Sequence, residues 1–204
     1  MKLLGTIPRV KFIVACSGGM DSMVLVDFLD QYPQNNFELA FFNHGTSDCD
    51  RAQKFLTDWC YENKRILHIG KVNAPKAKDE SMEEYWRNQR YGFLDTFACP
   101  VLTAHHLDDV VESWVMSSLK GGISKLIPYR RGNIIRPFLL VSKQEITDWA
   151  NRNGVEYVED YSNENVIHLR NYIRHQMMPH VLHVNPGIRT MIRRKLIIEN
   201  KEIE

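Results

Sequence analysis

Short apolar runs alternate with longer amphipathic segments along the first two-thirds of the chain. Short apolar runs bounded by polar residues are typical of buried strands, and apolar residues that recur every three or four positions are typical of helices. The pattern predicts strands at 10–15, 37–42, 65–69 and 101–104. It predicts helices at 21–32, 50–63, 81–97 and 107–119. Because strands and helices alternate, we expect an open parallel sheet with helices on both of its faces.

The alternation becomes less regular after residue 119. Ser142 followed three residues later by Glu145 is the pattern of a capping box, and Gly154 is a typical helix stop. These residues predict a helix that runs from Ser142 to about Asn153. The other segments predict a helix break at 120–122, an extended piece at 134–137, a polar loop at 160–165, a helix at 169–179 and a last basic helix after Pro186 and Gly187.

These elements predict an α/β fold of the Rossmann-like type, built on an open parallel sheet of five strands with a small helical C-terminal extension. The chain has 204 residues and 44% hydrophobic content, which is enough for one sizeable core. We expect residues 1–185 to form one domain that carries the chemistry, and residues 186–204 to form the short basic extension.

Composition and cysteine usage narrow the class of protein. The formal net charge is only +1, so the overall balance does not indicate a nucleic-acid partner. The four cysteines form no CxxC pair, so a zinc ribbon, an iron–sulfur site and a redox dithiol have no support in the sequence. Residues 1–10 lack the apolar core of a secretory signal, and no apolar run approaches the roughly 20 residues that span a bilayer. We therefore expect a soluble cytoplasmic protein with no membrane partner.

A candidate phosphate loop, Ser17-Gly18-Gly19-Met20-Asp21-Ser22, joins the first predicted strand to the first predicted helix. A helix N-terminus has unpaired N–H groups with partial positive charge, and small residues let phosphate oxygens approach them. Asp21 would repel a bare phosphate, so its expected partner is Mg²⁺ on a bound pyrophosphate. The loop is not a Walker A sequence, because no GxxxxGK pattern occurs. The alternative is an ordinary glycine turn with Asp21 or Ser22 as a helix cap.

A second candidate site is the string His105-His106-Leu107-Asp108-Asp109-Val110-Val111-Glu112, which follows a predicted strand. Ligands bind at the carboxyl ends of parallel strands. At helical spacing Asp108, Asp109 and Glu112 share one face, where they repel one another unless Mg²⁺ or a substrate ammonium group is present. One alternative is a solvated acidic helix start, which the helix dipole favours. Another is the metal cluster of a phosphohydrolase, for which the other histidines show no recognised spacing.

Basic residues are concentrated in two windows, 113–144 and 165–198, which contain six lysines or arginines each and no acidic residue. Arg170 and Arg174 follow the string Asp160-Tyr161-Ser162-Asn163 and lie one helical turn apart, as a fork suited to phosphate. Alone, this pair also fits a surface ion-pair face. We expect an electropositive face that binds RNA, with an affinity that falls steeply as the salt concentration rises.

The order and spacing of these motifs resemble those of the tRNA(Ile)-lysidine synthetase family over roughly residues 11–179. The SGGxDS string is similar to the signature of the wider superfamily of PP-loop ATP pyrophosphatases. The narrower resemblance comes from the Glu83…Arg87…Arg90-Tyr91 segment, the HHxDDxxE motif, the Arg-Pro-Phe-Leu segment at 136–139 and the DxSN…RNxxR motif. The chain resembles the catalytic N-terminal domain of that family.

The resemblance implies a PP-loop fold and a two-step reaction that uses ATP and Mg²⁺. The cytosine O2 of the wobble cytidine, in an isoleucine tRNA with a CAU anticodon, attacks the α-phosphate of ATP and releases pyrophosphate. The ε-amino group of free L-lysine then attacks C2 and releases AMP. The expected partners are this tRNA and lysine, with a second copy of the chain in a homodimer.

The motifs, the charge pattern and the resemblance together assign candidate roles. ATP binding is expected at Ser17, Gly18, Gly19, Asp21 and Ser22, and metal binding at Asp21. Lysine binding is expected at Asp109 and Glu112. The expected catalytic residues are Asp21, His105, His106, Asp109, Glu112 and Arg174. RNA binding is expected at Arg87, Arg130, Arg131, Arg170, Arg174, Arg193 and Arg194.

Other functions stay open from the sequence. A different PP-loop enzyme would thiolate a tRNA base, usually with paired cysteines, or would amidate a substrate with ammonia from a glutaminase domain. The sequence contains no such cysteine pair, and its length leaves no room for a glutaminase domain. The non-enzymatic alternative is a degenerate PP-loop domain that only binds RNA, against which the intact motifs argue.

Overall fold

The protein is described here by a computed structural model that covers residues 1–119, 121, 124–159 and 169–201. Within these ranges the strands form one sheet of six, in the order β3-β2-β1-β4-β6-β5. The strands are β1 (Phe12–Ala15), β2 (Phe37–Asn43), β3 (Leu67–Lys71), β4 (Val101–Thr103), β5 (Arg130–Arg131) and β6 (Ile134–Ile135). The neighbouring strands run parallel except for β5, which is antiparallel to β6.

Helices cover both faces of this sheet, which confirms the predicted fold class. In the described ranges they are α1 (Met20–Asp30), α2 (Ser47–Glu62), α3 (Met82–Asp95), α4 (Leu107–Leu119), α5 (Lys143–Asn153), α6 (Leu169–Tyr172), α7 (Met178–Val184) and α8 (Ile188–Glu199), with a 3-10 turn at Pro137–Leu140 and a π-helical turn at Ile173–Met177. Successive strand residues point to opposite faces. Phe12 and Val14 therefore lie in the larger core, whereas Ile13 packs in a smaller core with Tyr91 and Leu94 of α3.

The sheet has six strands where the sequence predicts five, because β5 is absent from the hydrophobic pattern. β5 consists of Arg130 and Arg131, both exposed, so no apolar alternation marks it. Gly132, in the turn that joins β5 to β6, has a φ of +59°, a left-handed conformation that glycine adopts without strain. The turn geometry, rather than burial, therefore forms this edge strand.

The capping signals around α5 are confirmed. Ser142 Oγ accepts a hydrogen bond from the Glu145 amide at 3.3 Å, and Glu145 accepts one from the Ser142 amide at 2.8 Å. Gly154 ends the helix with a φ of +61°. Because α5 begins directly after Ser142, the cap fixes the position of Lys143, the first helical residue.

The predicted helix at 169–179 is helical but not uniform, since α6 and α7 flank the π-helical turn. The predicted polar loop at 160–165 lies outside the described residues. α8 buries Ile188, Ile192 and Leu196 in the larger core and packs against α4. No helix in the described part of the chain is long and apolar enough to cross a membrane.

Candidate active site

The two main motifs meet at the carboxyl edge of the sheet. The phosphate loop (17–22) follows β1, and the 105–112 motif follows β4, which pairs parallel with β1. β2 lies on one side of β1 and β4 on the other, so the topological switch point falls between β1 and β4. Open α/β sheets bind ligands in the crevice at such a point. The fold therefore brings the two motifs together where a ligand site is expected.

Hydrogen bonds inside the phosphate loop set its shape. Ser22 Oγ donates to the Gly19 carbonyl at 2.9 Å and accepts from the Ser17 amide at 3.2 Å. Ser17 Oγ accepts from the Gly19 amide at 3.3 Å. Gly18 has a φ of +80°, a conformation that would strain any other residue. The two serines expected to contact phosphate therefore also brace the loop, and their role in ATP binding stays a prediction.

Asp21, the expected metal ligand, contacts two basic side chains. Its Oδ1 accepts from Lys143 Nζ at 2.5 Å, and its Oδ2 lies 3.6 Å from His106 Nε2. Burial alone would raise the pKa of Asp21, but His106 and Lys143 hold it below its usual range. The sequence motifs do not predict Lys143 as a site residue. Its only signal in the sequence is its place in the basic window 113–144.

His106 connects the phosphate loop with the acidic motif. Its side chain is buried, and Nε2 lies 3.6 Å from Oδ2 of both Asp21 and Asp109. Burial opposes protonation, but these carboxylates raise the pKa of His106 above its ordinary 6.5. Since folding raises this pKa, the imidazolium contributes its full stabilisation below about pH 6.5. That contribution is lost as the pH rises through the raised pKa.

The neighbouring His105 has the opposite electrostatic environment. Its Nδ1 lies 2.8 Å from Thr103 Oγ1. Burial is the main cause that lowers the pKa of His105 to about 3, and the charges of Arg136 and Arg170 add to it. The imidazole is therefore neutral at physiological pH. The pKa values of the two adjacent histidines therefore shift in opposite directions, which their sequence alone does not predict.

We expect this difference to be visible by NMR. In protein labelled with ¹⁵N-histidine, the ring nitrogens of His105 should show no titration between pH 5 and 8, whereas His106 should lose its proton above pH 6.5. His105→Gln and His106→Gln assign the two sets of signals. A midpoint near 6.5 for His105 would contradict the described environment.

Asp109 and Glu112 form a buried acidic pair, 8% and 5% exposed. Arg174 donates to Glu112 through Nε at 2.7 Å and through Nη2 at 2.9 Å, and its Nη2 also donates to Asp109 at 3.1 Å. Arg170 Nη2 donates to Asp109 at 2.9 Å. The sequence predicts a cation beside these carboxylates, and two guanidinium groups are in that position.

The opposite charges in this cluster shift one another's pKa values toward the ionised forms. Burial would raise the pKa of Asp109, but His106 and Arg170 hold it well below its usual range. Burial would lower the pKa of Arg174, but Glu112 and Asp109 raise it. Asp109 is therefore ionised at neutral pH. The RNA-binding role expected of Arg170 and Arg174 stays a prediction.

Asp108 does not share the face of this pair, so the prediction of three carboxylates on one face is wrong. Asp108 Oδ2 accepts from the Lys143 amide at 2.7 Å, and Oδ1 accepts from Arg189 Nε at 2.7 Å. Adjacent residues on a helix do not face each other, which separates Asp108 from Asp109. Asp108 instead joins α4 to the start of α5 and to α8.

Asp108→Asn is therefore expected to lower the free energy of unfolding by about 1–3 kcal/mol, because Arg189 and the Lys143 amide lose a charged acceptor. Urea unfolding followed by circular dichroism measures this change. Asp148→Asn is the matched control, since Asp148 lies on α5 and its side chain accepts a hydrogen bond from the exposed Gln144 amide. An unchanged unfolding midpoint for Asp108→Asn would contradict the role of Asp108 as a link between helices.

The arginines expected to bind RNA fall into separate groups. Arg87 and Arg131 both lie over the ring of Tyr91, at 4.9 and 4.3 Å from its centroid. Arg193 pairs with Glu145 at 3.1 Å near the start of α5. Arg130 and Arg194 are exposed. The structure thus brings Arg87 and Arg131 together, and places Arg193 beside Glu145 at the start of α5.

Two of the cysteines, Cys16 and Cys60, are buried, and the other two are partly exposed. Burial raises the pKa of Cys16 and raises that of Cys60 to about 11, so both are held as thiols. Within the described ranges, no three side chains of histidine, cysteine, aspartate or glutamate converge as a metal site.

Comparison with known proteins identifies the class of this chain. The PP-loop domain family matches residues 1–181, and the chain belongs to that family. The match implies a site for ATP. Among curated proteins, the chain is similar to the tRNA(Ile)-lysidine synthase of Photobacterium profundum, at 34% identity over 94% of this chain and 48% of that protein. It is similar to the tRNA(Ile)-lysidine synthase of Persephonella marina, at 34% identity over 87% of this chain and 43% of that protein.

The chain spans about half the length of these curated relatives. Among solved structures, it resembles the U34-tRNA thiolase NcsA of Methanococcus maripaludis, with a TM-score of 0.74 and 18% identity over 96% of this chain and 73% of that chain. It also resembles the NH3-dependent NAD synthetase of Campylobacter jejuni, with a TM-score of 0.52 and 12% identity over 97% of this chain and 88% of that chain. At these identities the structural likeness shows the fold alone.

Proposed function

We propose that this chain is the catalytic region of an ATP-dependent enzyme that forms lysidine in tRNA(Ile) with a CAU anticodon. The observation that carries the proposal is a continuous series of contacts from Asp21 through His106 to Asp109. This series joins a loop suited to polyphosphate to a buried acid pair suited to an organic cation. The name shared by the curated relatives, tRNA(Ile)-lysidine synthase, supports the same reaction.

In the first step, the phosphate loop and the N-terminus of α1 bind the β- and γ-phosphates of ATP. Lys143 is placed to donate to these phosphates from the start of α5. Asp21 would hold Mg²⁺, which fits the donor set because Mg²⁺ is usually bound through one or two carboxylates and substrate phosphates. When bound, the metal would supply positive charge to the leaving pyrophosphate. The cytosine O2 attacks the α-phosphorus, and the bond to the β-phosphate breaks.

In the second step, the ammonium group of lysine takes its place at Asp109 and Glu112, in competition with Arg170 and Arg174. Asp109 binds this cation rather than deprotonating it, because its low pKa makes it a weak base. The low pKa of His105, about 3, makes its neutral imidazole a weak base as well, so the amine loses its proton to solvent before it attacks. The new bond joins the lysine nitrogen to C2, and the C2–O bond breaks to release AMP.

A stepwise product assay tests this proposal. With ATP, Mg²⁺ and a CAU-anticodon tRNA(Ile) transcript, we expect pyrophosphate release that does not need lysine and AMP release that does. A chain that only binds RNA would give neither product. Pyrophosphate and AMP that form together without lysine, and only when a sulfur donor is added, would contradict lysidine synthesis and favour thiolation.

A further inference from the structure

A cavity of about 210 Å³ lies beside His105, between α3 and the segment that leads into β5. We call it the arginine pocket. The charged and aromatic side chains that line it are Arg87, Tyr91, Lys125, Arg131, Arg136 and Arg170. No carboxylate lines it among the residues that the structure describes. Its lining therefore combines several positive charges with one aromatic ring.

Tyr91 organises these charges. Guanidinium groups of Arg131 and Arg87 lie over its ring, at 4.3 and 4.9 Å from the centroid. Its hydroxyl accepts a hydrogen bond from Arg136 Nη2 at 3.2 Å. Cation–π contacts of this kind hold guanidinium groups in fixed directions without neutralising them. Tyr91 thus fixes the positions of these guanidinium groups and leaves them positively charged.

Arg136 is the most unusual member of this group, because it is a cation only 2% exposed. Its hydrogen-bond partners among the described residues are neutral, namely the Pro128 carbonyl at 2.7 Å and the Tyr91 hydroxyl. Its buried Nε has no hydrogen-bond partner among the described residues. A buried charge is costly unless an opposite charge compensates it. The environment of Arg136 therefore favours binding of an anion in the pocket.

The size and position of the pocket restrict that anion. Pockets for drug-sized ligands measure roughly 300–1,000 Å³, so 210 Å³ suits one phosphate group rather than a whole nucleoside triphosphate. His105 lines this pocket, whereas His106 contacts Asp21 of the phosphate loop. Arg170 lines the pocket and also contacts Asp109. The anion would therefore lie next to the acid pair but apart from the phosphate loop.

We propose that the arginine pocket binds one phosphodiester group of the substrate RNA, directly beside the nucleotide that is modified. This inference rests on the proposed function, which supplies a polyphosphate for the phosphate loop and an RNA as the second phosphate-bearing substrate. Arg131 and Arg87 guide the phosphate at the exposed mouth of the pocket, and Arg136 provides the buried charge. Fixing the phosphate there holds the target base against His105 and Asp109.

The test combines a protein variant with a modified RNA. The RNA is a stem-loop with a CAU anticodon, in which either phosphate that flanks the wobble cytidine is replaced by a neutral methylphosphonate. The variant is Arg131→Gln, at an exposed position where folding is not at risk. Arg152→Gln is the control, because Arg152 is an exposed arginine near the end of α5, outside the pocket. Affinities for RNA and for ATP are measured separately, at several salt concentrations.

We expect one methylphosphonate to weaken binding to the wild-type protein about tenfold and to have no further effect on Arg131→Gln. The dependence of log affinity on log salt should become shallower by about 0.7 in Arg131→Gln and should not change in Arg152→Gln. If each methylphosphonate weakened RNA binding equally in the wild-type protein and in Arg131→Gln, the proposal would be overturned. A loss of affinity for ATP or lysine alone in Arg131→Gln would overturn it as well, by assigning the pocket to those ligands.

The two proposals fail in distinguishable ways. If wild-type protein incorporates lysine but shows no coupling between Arg131 and the phosphates, the subsite is wrong and the function stands. If the coupling is present but no lysine is incorporated, the pocket binds RNA as proposed and the assigned reaction is wrong.

Discussion

Asp109→Asn is expected to lower kcat/KM for lysine by roughly 10²–10³-fold, the cost of removing one partner from a buried charge pair. Asp109 is buried and held ionised, so it offers a full negative charge to an ammonium group. Glu112→Gln should act in the same direction, since Glu112 completes the same acid pair. Pyrophosphate release in the absence of lysine should change far less. Transfer of labelled lysine and release of pyrophosphate, measured side by side, separate the two steps.

The adjacent carboxylate provides a matched control for this prediction. Asp108→Asn changes a buried aspartate on the same helix, but its partners are the Lys143 amide and Arg189 rather than the acid pair's arginines. It should lower stability and leave the KM for lysine close to that of the wild type. Equal loss of lysine transfer in the Asp108 and Asp109 variants would remove the reason for placing the ammonium group at Asp109.

Asp21→Asn is expected to lower kcat/KM for ATP in the adenylation step by roughly 10²–10³-fold, the effect of removing one preorganised electrostatic group from an active site. Asp21 lies in the first turn of α1, where it is the expected Mg²⁺ ligand and the partner of Lys143. Lys143→Met should also weaken ATP use. Because the two side chains are in contact, the double variant should lose less than the product of the two single losses.

Asp27→Asn is the control for Asp21, because it lies on the same helix and also joins α1 to α5. Asp27 accepts from Trp149 Nε1 at 2.7 Å, away from the phosphate loop. The Asp27→Asn variant should therefore release pyrophosphate at the wild-type rate. A Mg²⁺ titration adds a second readout, since Asp21→Asn should shift the half-saturating Mg²⁺ concentration upward. If the double variant lost the full product of the two single losses and the Mg²⁺ requirement did not change, neither the metal nor Lys143 would act together with Asp21.

Features with local causes could be predicted from the sequence. The capping box of Ser142 and Glu145 depends on residues three positions apart, and the structure contains both of its hydrogen bonds. The apolar runs predict β1, β2 and β4, and the structure contains all three as buried strands. Parallel order then brings the phosphate loop and the 105–112 motif to one edge without further information.

Features that depend on distant contacts could not be predicted in this way. Arg174 and Asp109 are 65 residues apart in sequence, and only the folded chain shows that their opposite charges are in contact. Lys143 reaches Asp21 across 122 residues, so no local motif marks it. β5 carries two exposed arginines, and its pairing follows from a turn rather than from a hydrophobic pattern. The opposite pKa shifts of His105 and His106 likewise depend on burial and on charges that are remote in sequence, such as Asp21 and Arg170.

Incorporation of radiolabelled lysine into RNA shows whether this chain forms lysidine. The chain is incubated with ATP, Mg²⁺ and labelled L-lysine, together with either a CAU-anticodon tRNA(Ile) transcript or a tRNA(Met) transcript that has the same anticodon. We expect ATP-dependent labelling of the isoleucine tRNA, which is lost in Asp109→Asn and kept in Asp108→Asn. Pyrophosphate release with no labelled RNA, in the presence of both lysine and tRNA(Ile), would contradict lysine as the nucleophile.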